Sequence, residues 1–283
     1  MPELPEVETI RLGLEKKLVG LEIKDIKLLN PKSFHGDPKL VKGQKVVSLW
    51  RKAKILGIDL TGNLTLLIHL KMSGQLVYQG KTKFVGGHPT TDMFDNQPNK
   101  STRLIFTFAD NSKLLFNDQR RFGWVKQFST SEVGSLKFIE GLGPEPLAKS
   151  FTWQVLKERL LSRRKAPVKV VIMDQGVVSG IGNIYACEAL FLSKIHPKKK
   201  VLELTDEEFK KLHKGVVDVL KLGIKLGGSS RSHYVNAEGK KGSFLDSANV
   251  YERKGKPCLS CKTPVGKIIL GGRGTFYCSV CQK

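Results

Sequence analysis

The first stretch of the chain carries apolar residues at helical spacing. Four of them recur there every three or four positions: Val7, Ile10, Leu14 and Leu18. This spacing predicts a helix over residues 5–18 with one buried face. Pro5 suits the first turn of such a helix, because the N–H that proline lacks would have no partner there.

After Gly20 the pattern changes to short runs rich in β-branched and aromatic residues, separated by turn formers. We predict strands over residues 21–29, 46–50, 54–60, 64–71, 75–78, 103–108, 113–116 and 124–128. Many short strands joined by turns indicate an antiparallel sandwich or barrel. The segment 80–100 is rich in Gly, Pro, Asn and Thr, and we predict a long exposed loop there.

A segment rich in glycine and proline at residues 141–146 divides the chain. Beyond it the pattern is helical, and helices are predicted over residues 152–161, 167–174, 184–192 and 205–226. Thr205 and Glu208 have the spacing of a capping box at the start of the last helix. The chain therefore predicts a β-rich first part and a helical second part.

The charge balance points to a polyanionic partner. The 283 residues include 48 Lys and Arg against 26 Asp and Glu, a formal net charge of +22. Nucleic acid is favoured over a membrane surface or an acidic protein, because no basic amphipathic helix or lipidation motif is present. No apolar run approaches the roughly 18 residues that span a bilayer. The acidic N-terminus does not resemble a signal peptide, so we expect a cytoplasmic protein.

Four of the five cysteines form two CxxC pairs: Cys258, Cys261, Cys278 and Cys281. The spacing between the pairs is typical of tetrathiolate zinc sites. The alternatives are two disulfides or a redox pair. An intracellular chain disfavours persistent disulfides, and one redox motif does not explain a second CxxC. Because protein would fill all four positions, we expect one structural zinc ion and no organic cofactor.

The segment between the two cysteine pairs is predicted to form a β-hairpin, with strands over residues 265–270 and 275–277. Residues 271–274 would form its tip, which includes Arg273. The fifth cysteine, Cys187, lies in an apolar helical stretch, and we interpret it as a buried core residue.

Six motifs occur in order over the whole chain. They are MPELPEVET at residues 1–9, HLKMSG at 69–74, NDQRRFG at 117–123, GLGPEPL at 141–147, GIGNIYA at 180–186 and GRGTFYC at 272–278. On these motifs the chain resembles the bacterial formamidopyrimidine-DNA glycosylase (Fpg/Nei) family. The resemblance implies an α+β fold: an N-terminal helix plus an antiparallel β-sandwich, then a helical helix–two-turns–helix domain with a C-terminal zinc β-hairpin.

The resemblance also implies a domain organisation and a partner. A catalytic domain is expected over residues 1–140, a linker over 141–150, a DNA-binding domain with a lesion loop over 151–250, and the zinc hairpin over 251–283. The expected partner is damaged double-stranded DNA and not a membrane. The chain is expected to act as a monomer associated with the bacterial nucleoid.

The N-terminal proline is the nucleophile that the resemblance implies. Removal of Met1 would expose the secondary amine of Pro2. An α-amine titrates at about 8, so a useful fraction is unprotonated near neutral pH. Attack on the anomeric carbon would give an iminium that promotes β,δ-elimination of the phosphates. Without the other motifs, Pro2 would be interpreted as the start of a turn.

Carboxylates next to this proline receive roles from the same motif. The resemblance assigns proton transfer to Glu3 and a supporting role to Glu6. Without it, Glu3 is equally well explained as a carboxylate at a helix start. Glu8 is interpreted as a surface charge.

Four basic and amide residues match the family positions that bind phosphates around the lesion: Lys54, His69, Asn183 and Arg273. Arg121 is interpreted as another phosphate contact. Cations and N–H donors suit phosphate oxygens, and Lys54 and Arg273 are counted with the catalytic residues. From strand alternation alone, Lys54 and His69 would suit a solvent-exposed face equally well.

Three residues match the positions that fill the space left by an extruded base: Met72, Arg120 and Phe122. An apolar wedge restores stacking, and an arginine bonds the orphaned base. By composition alone, Met72 and Phe122 would be core residues. The polar segment 227–244 is implied to close over the base, with Ser229 and Tyr234 taking part.

Two features depart from the family pattern. Ser101 stands where family members commonly carry a histidine, and the segment 80–100 is longer than usual. The leading hypothesis is a bifunctional glycosylase and AP lyase that removes oxidised purines such as 8-oxoguanine and formamidopyrimidines. The alternatives are the Nei-type enzyme for oxidised pyrimidines and a zinc-dependent DNA-binding protein without catalysis. Leu4 argues against the Nei type, whose members usually begin PEGPE.

Overall fold

The computed structural model describes residues 1–88, 97–229 and 243–283. The chain forms two compact units, one of Met1–Glu140 with Leu226–Ser243 and one of Gly141–Lys225 with Phe244–Lys283. Of the described residues, 226–229 and 243 group with the first unit, whereas the sequence places them with the DNA-binding domain. The four-part division proposed from the sequence stays a prediction. Within the described ranges, no helix is both long enough and apolar enough to cross a membrane.

Helix α1 (Leu4–Leu18) opens the first unit and begins one residue earlier than predicted. The four residues of its apolar face are almost completely buried: Val7, Ile10, Leu14 and Leu18. Pro5 lies in the first turn, as expected from its fixed φ. The burial of this face holds the beginning of the chain against the core of the first unit.

Strands make up most of the first unit. They are β1 (Ile23–Leu28), β2 (Phe34–His35), β3 (Val46–Lys52), β4 (Ile55–Leu60), β5 (Leu64–His69), β6 (Gly74–Gln79), β7 (Lys83–Gly87), β8 (Thr102–Phe108), β9 (Lys113–Asp118) and β10 (Trp124–Ser129). Short helices accompany them, namely α2 (Pro38–Val41), α3 (Lys137–Glu140) and the 3-10 turns Pro31–Ser33 and Thr130–Ser135.

These strands form two sheets, in the orders β1-β8-β9-β6-β7 and β2-β10-β5-β4-β3. Among the described residues the pairs within these two sheets are antiparallel, except the short pair of β2 with β10. Buried side chains of both sheets and of α1 belong to one hydrophobic core. The predicted antiparallel sandwich is confirmed.

The prediction of a loop from residue 80 onward is wrong at β7. This strand pairs with β6, and Phe84 is 2% exposed. A Cβ on Gly86 would lie 2.5 Å from Cγ1 of Ile10, so only glycine fits there without displacing that side chain. The glycines that allow this close approach also hid the strand, because they are typical of loops.

Helices dominate the second unit. They are α4 (Trp153–Leu161), α5 (Val168–Ile172), α6 (Asn183–Leu192) and α7 (Asp206–Lys225), with 3-10 turns at Val201–Glu203 and Phe244–Ser247. Helix α6 packs against α7, and Cys187 within it is 1% exposed, as predicted. A hairpin of β11 (Gly266–Leu270) and β12 (Arg273–Tyr277) lies near the C-terminus.

The predicted capping box precedes α7. The backbone N–H of Thr205 donates to the Glu208 carboxylate at 3.0 Å, and the N–H of Glu208 donates to the Thr205 hydroxyl at 3.3 Å. Two N–H groups that the helix itself cannot satisfy therefore have partners. This feature was predictable because it depends on residues only three positions apart.

We expect Gly13→Ala to destabilise the protein. A Cβ at Gly13 would lie 2.1 Å from Cε2 of Phe84, a buried ring of β7. The expected loss is about 1–3 kcal/mol in the free energy of unfolding, measured by urea denaturation. Leu12→Ala, at a position 41% exposed on the same helix, is the control and should change stability much less. Equal stability of the Gly13 variant and the native protein would contradict the packing described.

Candidate functional site

The predicted nucleophile and its carboxylates lie at the start of α1. Pro2 is buried, and Glu3 and Glu6 are 3% and 5% exposed. The backbone N–H of Glu3 donates to Oε2 of Glu6 at 2.8 Å. Carboxylates are favoured at this end of a helix, where N–H groups lack partners within the helix and the dipole is positive. The structure thus brings three predicted site residues together at one helix end.

The second oxygen of Glu6 holds a distant part of the chain. Oε1 accepts a hydrogen bond from the backbone N–H of Ser229 at 2.9 Å. The preceding Gly228 has a φ of +89°, and a Cβ there would lie 3.1 Å from the Glu6 side chain. Ser229 belongs to the predicted lesion loop, so Glu6 joins the base of that loop to the N-terminus. Tyr234, the other predicted loop residue, lies outside the described residues.

Lys54 lies with Ala53 in the two-residue turn that joins β3 and β4. The side chain is 5% exposed despite its charge. Burial of a lysine is unfavourable unless its ammonium group has polar partners, so this placement points to a specific role. The expectation of a solvent-exposed face is therefore wrong for Lys54.

His69 ends β5, where its ring is partly buried against Trp124. Its Nδ1 accepts a hydrogen bond from the backbone N–H of Lys71 at 3.0 Å, which leaves the ring proton on Nε2. Burial lowers the pKa of His69 to about 3, and the charges of Lys71 and Lys54 act in the same direction. The imidazole is therefore neutral near pH 7 and offers one N–H donor. Because the charge of Lys54 contributes to the low pKa of His69, the two side chains lie close enough to interact electrostatically.

The predicted void-filling residues lie on two loops of the first unit. Met72 lies between β5 and β6, in a turn closed by the N–H of Gly74 donating to the carbonyl of Leu70 at 2.8 Å. Arg120 and Phe122 lie between β9 and β10, with the Arg120 guanidinium 5.0 Å from the centre of the Phe122 ring. Phe122 is 57% exposed and is therefore not a core residue.

One buried carboxylate that the sequence analysis did not single out joins these two loops. Asp118 is 0% exposed. Its Oδ1 accepts from Oγ of Ser73 at 2.5 Å and from the N–H of Arg120 at 3.2 Å. Its Oδ2 accepts from the N–H of Gly123 at 2.6 Å. Each of these partners is a void-filling residue or its neighbour in sequence, so Asp118 fixes the backbone of both loops.

Two further residues lie near Asp118: Arg121 follows it closely in sequence, and Ser101 bonds to its backbone. Arg121 is exposed and has a positive φ of 60°. The carbonyl of Ser101 accepts from the N–H of Asp118 at 2.8 Å. Ser101 thus contributes a backbone carbonyl to the ladder beside the loop.

In the second unit, a buried lysine and an amide hold the hairpin. Asn183 is the first residue of α6, and its Nδ2 donates to the carbonyl of Gly274 at 2.9 Å. Its Oδ1 accepts from Nζ of Lys169, a fully buried residue of α5, at 2.6 Å. Gly274 follows Arg273 in sequence. The side chain of Asn183 is therefore bonded to the backbone one residue away from Arg273, the other predicted phosphate contact of this unit. The sequence pattern gave no signal for Lys169.

The hairpin differs from the prediction at its tip. Its turn consists of Gly271 and Gly272, with φ angles of 56° and 69°, and Leu270 pairs with Arg273. Two successive positive φ angles are typical of a tight hairpin turn and favour glycine. Arg273 therefore begins β12 next to the turn and is exposed there, rather than forming the tip itself.

A second buried carboxylate anchors the chain that leads into the hairpin. Glu188 on α6 is 1% exposed and accepts four hydrogen bonds of 2.8–3.0 Å. The donors are the N–H groups of Asn249, Val250 and Tyr251 and the side-chain amide of Asn249. Four donors satisfy this carboxylate without a cation, so it holds the segment to α6.

The four cysteines of the CxxC pairs converge. Their Sγ atoms all lie within 4.8 Å of one another, and Cys258 and Cys278 are fully buried. Four sulfurs at such separations fit the tetrahedral shell of one Zn²⁺, with bonds of about 2.3 Å. Hydrogen bonds from Thr263 lower the pKa of Cys261 to about 6, whereas the hydrogen bond with Cys261 raises the pKa of Cys281 to about 12. Four thiols this close together therefore need a cation among them to become thiolates together. All four positions belong to the protein, so the centre is structural.

Comparisons with known proteins agree with this geometry over the whole chain. Residues 1–125 match the formamidopyrimidine-DNA glycosylase N-terminal domain, residues 142–235 its H2TH domain, and residues 255–283 the zinc finger found in FPG and IleRS. A formamidopyrimidine-DNA glycosylase from Rickettsia bellii is 40% identical over 287 residues, which cover 100% of both chains. The chain belongs to the formamidopyrimidine-DNA glycosylase family.

Solved structures of the family have the same fold. A complex of a Lactococcus lactis FPG variant with DNA that contains Fapy-dG has a TM-score of 0.88 at 32% identity, covering 100% of both chains. A complex of the wild-type Lactococcus lactis enzyme with DNA that contains an oxidised pyrimidine has a TM-score of 0.86, also at 32% identity and 100% coverage. The match to the zinc finger and the four converging thiols together confirm one structural zinc ion.

We expect Asp118→Asn to loosen both void-filling loops. The substitution removes a buried charge and places an NH₂ group opposite N–H or O–H donors, which leaves at least one of them unsatisfied. The expected loss is about 1–3 kcal/mol of stability, with faster amide hydrogen exchange at Arg120 and Gly123.

Asp110→Asn is the matched control, because Asp110 accepts from Ser112 in the β8–β9 turn and touches neither loop. It should leave amide exchange in the 118–123 segment unchanged. Unchanged exchange in the Asp118 variant as well would contradict the role described for that carboxylate.

We expect Cys261→Ser to remove the zinc and unfold the hairpin, because three thiolates bind Zn²⁺ much more weakly than four. Zinc content by elemental analysis should fall from one ion per chain towards zero. Cys187→Ala is the matched control, since that buried cysteine lies outside the cluster of ligands. One zinc ion retained by the Cys261 variant would contradict the four-cysteine centre.

Proposed function

We propose that the protein is a base-excision repair enzyme that removes oxidised purines from duplex DNA and cleaves the abasic strand. The observation that carries this proposal is the burial of Pro2 beside Glu3 and Glu6 at the start of α1. An N-terminal segment is ordinarily mobile and exposed. A buried proline at the helix end that carries two buried carboxylates, in a chain of this family, suits an amine nucleophile.

The chemistry needs Met1 to be removed so that Pro2 presents a secondary amine. The proline nitrogen lone pair forms a bond to C1′ of the damaged nucleotide, and the glycosidic bond between C1′ and the base nitrogen breaks with its electrons leaving on the base, which takes up a proton. Breaking of the C1′–O4′ bond then gives an iminium. Loss of a proton from C2′ expels the 3′ phosphate, and a second elimination expels the 5′ phosphate. Glu3 would move protons during base loss and ring opening.

The reaction needs the DNA backbone to be bound firmly, and cationic and amide residues would do this. Lys54, His69 and Arg121 of the first unit, and Asn183 and Arg273 of the second, would donate to phosphate oxygens. The neutral imidazole of His69 suits a hydrogen bond through Nε2, since its low pKa excludes a charge there near neutrality. A net charge of +22 makes such binding strongly dependent on salt.

Three residues on the two joined loops suit the space left by the flipped base. Phe122 and Met72 would stack on neighbouring bases, and Arg120 would bond the orphaned partner. Extrusion of a nucleotide costs a few kcal/mol, so loops held ready by Asp118 would reduce the ordering needed at that step. Ser229 would lie at the base of the loop that covers the damaged base.

The proposal also covers the substrate range, the cellular location and the oligomeric state. A DNA substrate would place the protein with the bacterial chromosome in the cytoplasm, as a nucleoid-associated monomer. A solved relative was crystallised with DNA that carries an oxidised pyrimidine, and another with Fapy-dG. The test of the proposal therefore compares both lesion classes.

We expect the zinc-containing protein lacking Met1 to form a covalent adduct with an 8-oxoguanine duplex in the presence of borohydride. Pro2→Gly, or retention of Met1, should abolish the trapped adduct, because each removes the free secondary amine. Pro5→Ala is the matched control, since it changes a proline of the same helix turn and leaves the amine intact. Glu3→Gln should slow base release about 100-fold or more.

Other outcomes would favour the alternatives. Failure of the intact protein to trap any damaged duplex, with DNA binding retained, would indicate a zinc-dependent binding protein without catalysis. Faster excision from thymine-glycol duplexes than from 8-oxoguanine duplexes would indicate the sister enzyme for oxidised pyrimidines. An adduct of normal yield with Pro2→Gly would exclude the terminal proline as the nucleophile.

A further inference from the structure

We propose that Glu8 is a positioning residue for Lys54 and acts on it through Arg51. The proposal rests on the proposed function, in which Lys54 contacts the DNA substrate. Glu8 is not the surface charge that the sequence suggests. Its side chain is 18% exposed and lies between α1 and the β3–β4 hairpin that carries Lys54.

Glu8 is held by two arginines, one on each side. Its Oε1 accepts from Nη2 and Nε of Arg11 at 2.8 and 3.0 Å, one turn further along α1. Its Oε2 accepts from Nε of Arg51 on β3 at 3.1 Å. Burial alone would raise the pKa of Glu8, but the bonds and charges of Arg11 and Arg51 outweigh it and lower the pKa. Glu8 therefore keeps its negative charge near neutral pH.

The other end of the Arg51 guanidinium reaches the turn that contains Lys54. Nη1 of Arg51 donates to the carbonyl of Ala53 at 3.0 Å. That carbonyl and the backbone N–H of Lys54 belong to the same planar peptide group. A bond that fixes the carbonyl therefore also fixes the direction in which the Lys54 backbone begins.

The turn needs such a contact because of the conformation of Ala53. Its φ is 54°, in the left-handed region that residues with a Cβ rarely adopt. Ala53 is also 2% exposed, so water cannot readily satisfy its carbonyl. A guanidinium that is 10% exposed and already oriented by Glu8 can hold this carbonyl at little loss of side-chain freedom.

The consequence concerns the Lys54 side chain. A lysine has a long flexible stem, and its placement depends on the backbone from which it starts. The influence of Lys54 on the pKa of His69 shows that its charge lies near a second predicted phosphate contact. Glu8, Arg51 and the Ala53 carbonyl thus form a continuous path from helix α1, which carries the N-terminus, to the lysine.

The simpler explanation is that Glu8 only fastens α1 to β3. A double-mutant cycle separates the two, because a purely structural contact and a lost lysine act independently. The four proteins are the native zinc-containing full chain, Glu8→Gln, Lys54→Ala and the double variant. The measurements are the dissociation constant for a duplex with a tetrahydrofuran abasic analogue, the borohydride trapping rate and the melting temperature.

We expect Glu8→Gln to weaken binding of the tetrahydrofuran duplex about 5- to 10-fold, because the amide keeps an acceptor for Arg51 but loses the charge that strengthens the bond. In the Lys54→Ala background the same change should have less than about a 2-fold effect, because the group that Glu8 positions is gone. Arg51→Lys should resemble Glu8→Gln, since a lysine cannot bond Glu8 and the Ala53 carbonyl with the fork geometry of arginine. This second variant keeps the charge and provides a test if Glu8→Gln folds poorly.

Glu15→Gln is the matched control. Glu15 also pairs with Arg11, at 2.9 Å, but is 41% exposed and makes no contact with Arg51 in the hydrogen bonds of the described chain. It should leave binding and trapping within about 2-fold of native. An equal effect of Glu15→Gln and Glu8→Gln would overturn the proposal.

Two further outcomes are distinct. If Lys54→Ala impairs binding or trapping and the Glu8 effect multiplies with it, Glu8 is only structural and the proposed function stands. If Lys54→Ala changes neither binding nor trapping, Lys54 has no part in the reaction. In that case its role in the proposed function fails, and the positioning role of Glu8 fails with it.

Discussion

The hydrogen bond from the backbone N–H of Glu3 to the buried carboxylate of Glu6 fixes the part of the chain on which the proposed chemistry depends. A chain terminus is usually the least ordered part of a domain. Here the apolar face of α1 is packed into the core, and the other oxygen of Glu6 binds Ser229, 223 positions away. One carboxylate thus joins the start of α1 to residue 229.

Buried carboxylates perform a common task in a chain with a large excess of cations. Glu6, Asp118 and Glu188 are each at most 5% exposed, and each accepts two or more hydrogen bonds, chiefly from backbone N–H groups. Because the donors are chiefly backbone N–H groups, each of these carboxylates holds a segment of the chain in place. The acidic residues organise loops inside each unit, while the positive surface remains available to a polyanion.

The extent to which the fold was predictable follows from the range of each interaction. The helix α1, the capping box before α7, the CxxC pairs and most strands depend on residues within a few positions, and sequence periodicity found them. Strand β7 was missed because its glycines serve contacts with α1 that no local pattern reveals. The position of Arg273 was shifted because the two-residue turn needed the positive φ angles of Gly271 and Gly272.

The candidate site shows the same division. The motifs indicated the residues that would contact DNA, since each motif lies within a short segment of the chain. The groups that hold those residues came only from the structure: Asp118 bonds to Ser73, Lys169 to Asn183, and Glu8 to Arg51. These partners are 14 to 45 positions apart, and a polar residue gives no sign in sequence of which distant group it will bond.

A surface with a formal charge of +22 repels itself, and cations on flexible stems would spread apart in the absence of a partner. Attraction to a polyanion supplies affinity but not geometry, because it acts at a distance and in all directions. The positions of the side chains that would contact DNA therefore have to be set by short hydrogen bonds within the protein. In this protein those contacts are made to the peptide groups beside the working residues: the Ala53 carbonyl next to Lys54, the N–H of Gly123 next to Phe122, and the carbonyl of Gly274 next to Arg273. By holding the backbone, the protein leaves the ends of the working side chains able to respond to what binds.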